Sequence, residues 1–276
     1  ASCTLIGSLS GIDWSRGEGG VMFSDVYRIS GHSAVRSRVY VTRCTIVNSS
    51  ATAAGGASAS AGAFFLYRSE GYFTDCNITD SSVRASYVVD VDDIILMQPY
   101  ADAGAVHFTS TGGNGVFTRC IISNSTCVAI GAVKAKAGAI KVHLRIEVHL
   151  AGCTIENSFI SSSSTALGGA LYTAQGATLS LIDCIITNST VMGGVISEGG
   201  TIHAKTNCAV RLTRCGISLS STVGSGQASA KGGTLMVDQS TAALTECIIA
   251  GTSVGGGVFT MGGVLHLRGA QFEDSF

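Results

Sequence analysis

Apolar and variable positions alternate along this chain in short bursts, and the bursts recur. The second residue past a Gly block is apolar in copy after copy: Phe64, Val106, Ile140, Leu171, Ile202, Leu235 and Leu265. The residue after it is unconstrained: Phe65, His107, Lys141, Tyr172, His203, Met236 and His266. A period of two is the signature of a half-buried strand whose variable side faces outward.

The cysteines set the frame of the repeat. Cys3, Cys44, Cys76, Cys120, Cys153, Cys184, Cys215 and Cys247 are separated by 41, 32, 44, 33, 31, 31 and 32 residues. Two residues past each stand Leu5, Ile46, Ile78, Ile122, Ile155, Ile186, Ile217 and Ile249, and three before stand Val41, Phe73, Phe117, Leu150, Leu181, Leu212 and Leu244. Four past come Asn48, Asp80, Asn124, Asn157 and Asn188, then Leu219 and Gly251; a Ser or Thr follows in every copy.

Each repeat therefore predicts three short strands: one after the Gly block, one running up to the residue three before Cys, and one carrying Cys-x-Ile. Helix fits poorly, because β-branched residues dominate the strands and Gly and Ser interrupt at short intervals. Strands this short keep identical residues in column when successive repeats stack as coils of a parallel solenoid, each strand pairing with its copy one coil on. The expectation is one all-β domain over 1–276, a right-handed parallel β-helix of eight to nine coils and roughly 40 Å length. Longer insertions fall at about 9–38 and 84–103.

Composition narrows the reading. Thirty-six Gly against one Pro puts the turns on Gly, Ser and Asn. A net charge of −1 with no basic run argues against nucleic acid as partner. The longest aliphatic run, Ile94 to Met97, is far too short to span a bilayer. The chain opens on Cys3-Thr4-Leu5 and ends near Ala270-Gln271-Phe272, the same phase of the motif. It reads as a slice of a longer solenoid or a subunit that stacks end to end.

The Gly168-Gly169-Ala170-Leu171 block and the Ile186-Thr187-Asn188 block together resemble the repeats of right-handed β-helices of the pectin-lyase-like superfold, especially the polymorphic outer-membrane-protein type. The Asn block here is one residue shorter, and Ile stands where that repeat has Phe. The resemblance implies the fold. It leaves function open, because such solenoids serve as lyases, adhesins and structural rods.

Candidate chemistry is sparse. The Cys column (Cys44, Cys76, Cys120, Cys153, Cys184, Cys215, Cys247) lacks the Cys-x-x-Cys pairs of a zinc site. It reads as buried thiols or as disulfides between coils, and the thiol reading is favoured because Ala270 takes the same place. Asn48, Asn124, Asn157 and Asn188 suit a left-handed corner, their amides laddered from coil to coil or simply turn-forming. Of four Asn-x-Ser/Thr sequons, Asn77 lies outside that column and is the glycosylation candidate. Asp90 and Asp92 are the only calcium candidates, against the plain reading of an exposed acidic loop. The residues before each Cys, such as Arg43, Asp75 and Arg119, alternate in sign and would pin the register. Outward Ile121, Ile185 and Ile248 are an interface or are covered by the Ser- and Gly-rich loops that follow the Asn column.

No catalytic residue and no cofactor emerges. The leading expectation is an extracellular structural rod of a filament, stalk or coat, partnered by itself end to end or laterally. The alternatives are an adhesin holding cell-surface glycans on His107, Tyr172 and His203, and a polysaccharide lyase using calcium at Asp90 and Asp92.

Overall fold

A computed structural model describes residues 3–11, 17–18, 22–24, 38–53, 58–86, 100–131, 134–224, 229–251 and 258–273, the first three segments as backbone. The chain is all strand, and the strand pairings are parallel throughout these residues. It is a β-solenoid.

One circuit shows the plan. Leu171–Ala174 forms wall 1, Thr178–Ile182 wall 2 and Ile185–Thr187 wall 3. The chain then builds wall 4 with Thr190–Gly193 and wall 5 with Ile196–Glu198 before the next Gly pair returns it to wall 1. Six consecutive circuits between Met22 and Lys231 visit all five walls, with partial circuits at either side. The expected three strands per coil are therefore five, and eight to nine coils become six full ones plus partial ones.

Register follows the sequence columns. On wall 3, Ile46, Ile78, Ile122, Ile155, Ile186, Ile217 and Ile249 are partners in succession. On wall 2, Val41, Phe73, Phe117, Leu150, Leu181, Leu212 and Leu244 are likewise. These columns, with the wall 1 apolar column, fill the main core between walls 1, 2 and 3. Phe73 and Phe117 stack with ring centroids 4.6 Å apart, as superposed columns require.

One column ends differently from its expected membership. Leu235 and Met236 pair with Val258 and Phe259 on wall 1, whereas Leu265 and His266 pair with Ala242 and Ala243 on wall 2. The Gly262-Gly263 pair that suggested a wall 1 start is the corner between walls 1 and 2, with Gly262 at φ 61°.

Walls 4 and 5 arise from segments that read as loops. Their inward residues alternate but are small: Ala51 and Ala53, Val83 and Ala85, Cys127 and Ala129 on wall 4, facing Ala59, Ala101, Ala135 and Ala166 on wall 5. Small side chains let the two walls close on each other and form a second, narrower core. The expected insertions hold strand too: Gly17–Glu18 and Met22–Ser24 fall in the first, and Tyr100–Asp102 falls in the second, which Ser82–Ser86 enters.

The two cores meet at a waist. A Cβ built on Gly169 would lie 2.0 Å from the Gly200 carbonyl oxygen, and one on Gly200 would lie 1.9 Å from that of Gly233. The same glycines abut the corner after wall 3, where Ser158, Ser189 and Ser220 are buried. Only Gly against Ser lets the backbones come this close. Gly169→Ala is accordingly expected to cost about 2 kcal/mol or more, while Gly216→Ala, where a Cβ meets nothing within 4 Å, should stay within about 0.5 kcal/mol of the parent. Thermal unfolding of the two variants reads the contrast.

Candidate functional site

The corners come first, because they orient what lies between them. Asn48, Asp80, Asn124, Asn157 and Asn188 all sit at φ 52–55°, the left-handed region, as does Leu219 at 54°. Asn124 Nδ2 donates to Asp80 Oδ1 at 3.0 Å, Asn157 Nδ2 to Asn124 Oδ1 at 3.0 Å, and Asn188 Nδ2 to Asn157 Oδ1 at 2.7 Å. The ladder exists, and it runs along an exposed corner. Asn77 does face outward on wall 3 between Thr45 and Ile121, but it is only half exposed.

The corner before Cys is a second left-handed column: Arg43, Asp75, Arg119, Asp183, Arg214 and Glu246 lie at φ 51–54°. Arg119 grips Asp75 with two hydrogen bonds of 2.7 and 3.0 Å, and Arg214 grips Asp183 at 2.7 and 2.8 Å. The bonds from Arg119 and Arg214 hold both carboxyls below the usual range. Being solvent-exposed, each pair chiefly fixes register.

Cys76, Cys120, Cys127, Cys153, Cys184, Cys208, Cys215 and Cys247 are buried free thiols, and Cys44 is buried with them. In the column the thiols serve the backbone: Cys76 donates to the Val41 carbonyl one coil below at 3.3 Å, and Cys184 to that of Leu150 at 3.5 Å. Hydrogen bonding along the column and burial push Cys120, Cys184 and Cys247 up. Burial of the column keeps these thiols out of reach of electrophiles.

The titratable groups converge elsewhere, in a notch where wall 5 folds back against the outer side of wall 1. Wall 5 contributes Ser60, Asp102, Lys136, Leu167, Glu198 and Lys231 in register. Wall 1 contributes Phe65, His107, Lys141, Tyr172, His203 and Met236. The expected outward column is therefore covered. His107, Lys141, Tyr172, His203 and Met236 are all buried, because a second layer of sheet lies over them. His266 is not among them and sits exposed on wall 2.

Tyr172, Leu167, Ala174 and Ala137 plug the notch midway. On one side of the plug, Lys141 Nζ donates to Asp102 Oδ2 in an ion pair whose side chains are 4% and 1% exposed. Burial outweighs the attraction of Asp102 and brings Lys141 down to about 8. Around the pair, Phe65, Tyr67, Tyr100, His107, Lys136 and His143 line a cavity of about 260 Å³. On the other side, His203 lies 4.0 Å from Glu198, and Lys231 and Lys205 approach Glu198 and Asp238 at 3.9 and 3.7 Å.

The Asp102–Lys141 pair escaped the sequence reading. The two residues are 39 apart, and nothing short of the five-wall coil brings them together. Asp90 and Asp92 lie outside the described residues. Among the described residues, no group of three His, Cys, Asp or Glu side chains is placed to hold a metal ion, and no helix is long and apolar enough to cross a membrane.

Wall 3 carries the other feature of note. Its outward column runs Thr45, Asn77, Ile121, Thr154, Ile185, Gly216, Ile248. Ile121, Ile185 and Ile248 are 43%, 55% and 47% exposed, so no loop among the described residues covers them.

No family model, no curated protein and no solved structure matches this chain. The architecture defines its class, a parallel β-solenoid, and the likeness to polymorphic outer-membrane-protein repeats rests on the motifs alone.

Burial keeps the notch histidines neutral: His203 is brought down to about 3, His143 to about 4, and His107 well below 6.5. Below about pH 6.5 the unfolded chain binds protons at these sites and the folded one does not. Their contribution to stability is therefore whole above 6.5 and is lost as pH falls toward the folded values. His203→Met, copying the residue one coil on, should melt less acid-sensitively than the parent between pH 7 and 4, as melting midpoints across that range will show.

Proposed function

We propose that the chain is a structural solenoid, a rod of an extracellular filament, stalk or coat that packs side by side with copies of itself through wall 3. The observation that supports this reading is the outward column of that wall. Bulky Ile121, Ile185 and Ile248 occupy alternate coils, with Thr154 and Gly216 between them. Knobs spaced two coils apart, about 9.6 Å, stand beside holes of the same spacing. A second copy displaced by one coil seats each Ile over a Thr or Gly, so the face complements itself, as an association between copies requires. Ile182, 41% exposed, widens the apolar strip at the adjoining corner, and the Arg–Asp pairs and Asn ladder on either side supply a polar rim.

Sedimentation of the purified chain tests the reading. The parent should associate reversibly with rising concentration, and Ile185→Lys should remain monomeric with an unchanged melting temperature. Gly216→Leu, which fills a hole and leaves the knobs, should weaken association too. A parent that stays monomeric at high concentration and shows no filaments by electron microscopy overturns the proposal.

A further inference from the structure

The cavity beside Asp102 and Lys141 adds open volume to buried charge, and it is independent of the wall 3 face. Walls 2 to 4 bury apolar side chains, thiols and hydroxyls, whereas this stretch of the notch buries a charged pair and His107 around open volume, with His143 half-buried beside them. A polar cluster that serves only to join two walls closes on itself. This one does not. Neither ring nitrogen of His107, 3% exposed, meets a protein donor or acceptor, and Asp102 Oδ1 is buried with none either. Leaving such groups unpaired is costly, and both line the cavity.

The chemistry of the lining narrows the occupant. Lys136 Nζ and Lys141 Nζ lie 5.7 and 5.5 Å from the centroid of the Tyr100 ring, so both ammonium groups lie against one aromatic ring. Lys141 spends one of its three protons on Asp102, and Lys136 is not ion-paired to any described carboxylate. Among the described residues, two ammonium groups stand against one carboxylate at the cavity, an excess of positive charge. Asp102 Oδ1 in turn needs a hydrogen-bond donor, which a bare anion does not supply. His107, neutral, offers one donor and one acceptor. The volume, about 260 Å³, sits just under the range of about 300–1,000 Å³ usual for drug-sized ligands.

We infer that this cavity binds a small hydroxylated anion, its acidic group between Lys136 and Lys141 and a hydroxyl donating to Asp102. The acidic group is a carboxylate or a phosphate, since two ammonium groups receive both. His107 takes a second hydroxyl, and Tyr67 and Tyr100 flank the carbon skeleton. The Lys141–Asp102 pair is then the floor of the site and also a strut between walls 5 and 1.

Calorimetric titration and thermal shift with glycerate, glycerol 3-phosphate and glycerol decide the matter. The full chain should bind at least one of the two anions saturably, bind glycerol at least tenfold more weakly, and shift the His107 ring resonances without moving those of His203. Whichever anion binds more tightly identifies the acidic group. Lys136→Gln should weaken binding at least tenfold. Replacing the pair together, Asp102→Leu with Lys141→Met, avoids stranding a buried charge and should abolish binding in a folded protein. The inference is overturned if neither anion binds saturably, if glycerol binds equally well, or if Lys136→Gln binds as the parent does.

Discussion

The closest approach of backbone to backbone governs this molecule. At the waist, each second glycine of a Gly pair rests under the carbonyl of its counterpart one coil on, with no room for a Cβ. The buried serine column after the Asn corner fills the facing side. This contact divides every coil into two lobes. Without it, walls 4 and 5 would have no second core to enclose, and wall 5 would not lie over wall 1. The notch, its buried charges and its cavity all follow from a pair of small residues repeated in each circuit.

Tight circuits demand sharp corners, and the corners carry their own cost. A non-glycine residue in the left-handed region loses about 1 kcal/mol or more, yet Asn, Asp, Arg and Glu occupy it coil after coil. The solenoid offsets part of that cost by repetition, because each corner side chain finds its counterpart one coil away. Amide donates to amide along one corner, and guanidinium grips carboxylate along the other. Leu219 shows the arrangement without compensation: it takes the same φ with 61% of its side chain exposed, at the point where the Asn column stops. Neutral amides stack like on like, whereas charges must alternate in sign, and the two corners differ in that way.

Three of the five walls were legible in the sequence, along with both of these corner columns, because Cys, Ile and Asn recur at fixed offsets and bulky inward residues make a period of two obvious. The other two walls were hidden by size. Ala51-x-Ala53 or Val83-x-Ala85 alternates as faithfully as Cys-x-Ile, but alanine, serine and glycine are also what loops are made of, so the strand signal vanishes into composition. The same omission misplaced the His107, Tyr172 and His203 column. Alternation tells which residues point away from the nearest core, and it is silent on whether another layer of the same chain covers them. Leu265 and His266 went astray for a narrower reason: two Gly blocks, 255–257 and 262–263, compete in the last repeat, and spacing alone favours the wrong one. Asp102 and Lys141 belong to different coils and different walls, so their pairing appears only once register and covering layer are both known.

The two surfaces singled out above differ in how they depart from the repeat. In the notch the departures are forced by electrostatics: Lys136 and Lys141 stand one coil from Asp102 on two facing walls, and Glu198 answers Lys231 in the same manner. Buried like charges in column would repel at low dielectric, so the polar residues are staggered between walls until opposite signs meet. Nothing comparable constrains the outer side of wall 3. An isoleucine in every coil would stack as well there as it does on the inner side, where the column from Ile46 to Ile249 is unbroken. The outward column instead skips alternate coils at Thr154 and Gly216. Packing within the solenoid does not call for the gaps, since a side chain at Gly216 would meet open space. On the side-by-side packing proposed above, the gaps would receive a second surface, laid alongside, whose own projections arrive every two coils.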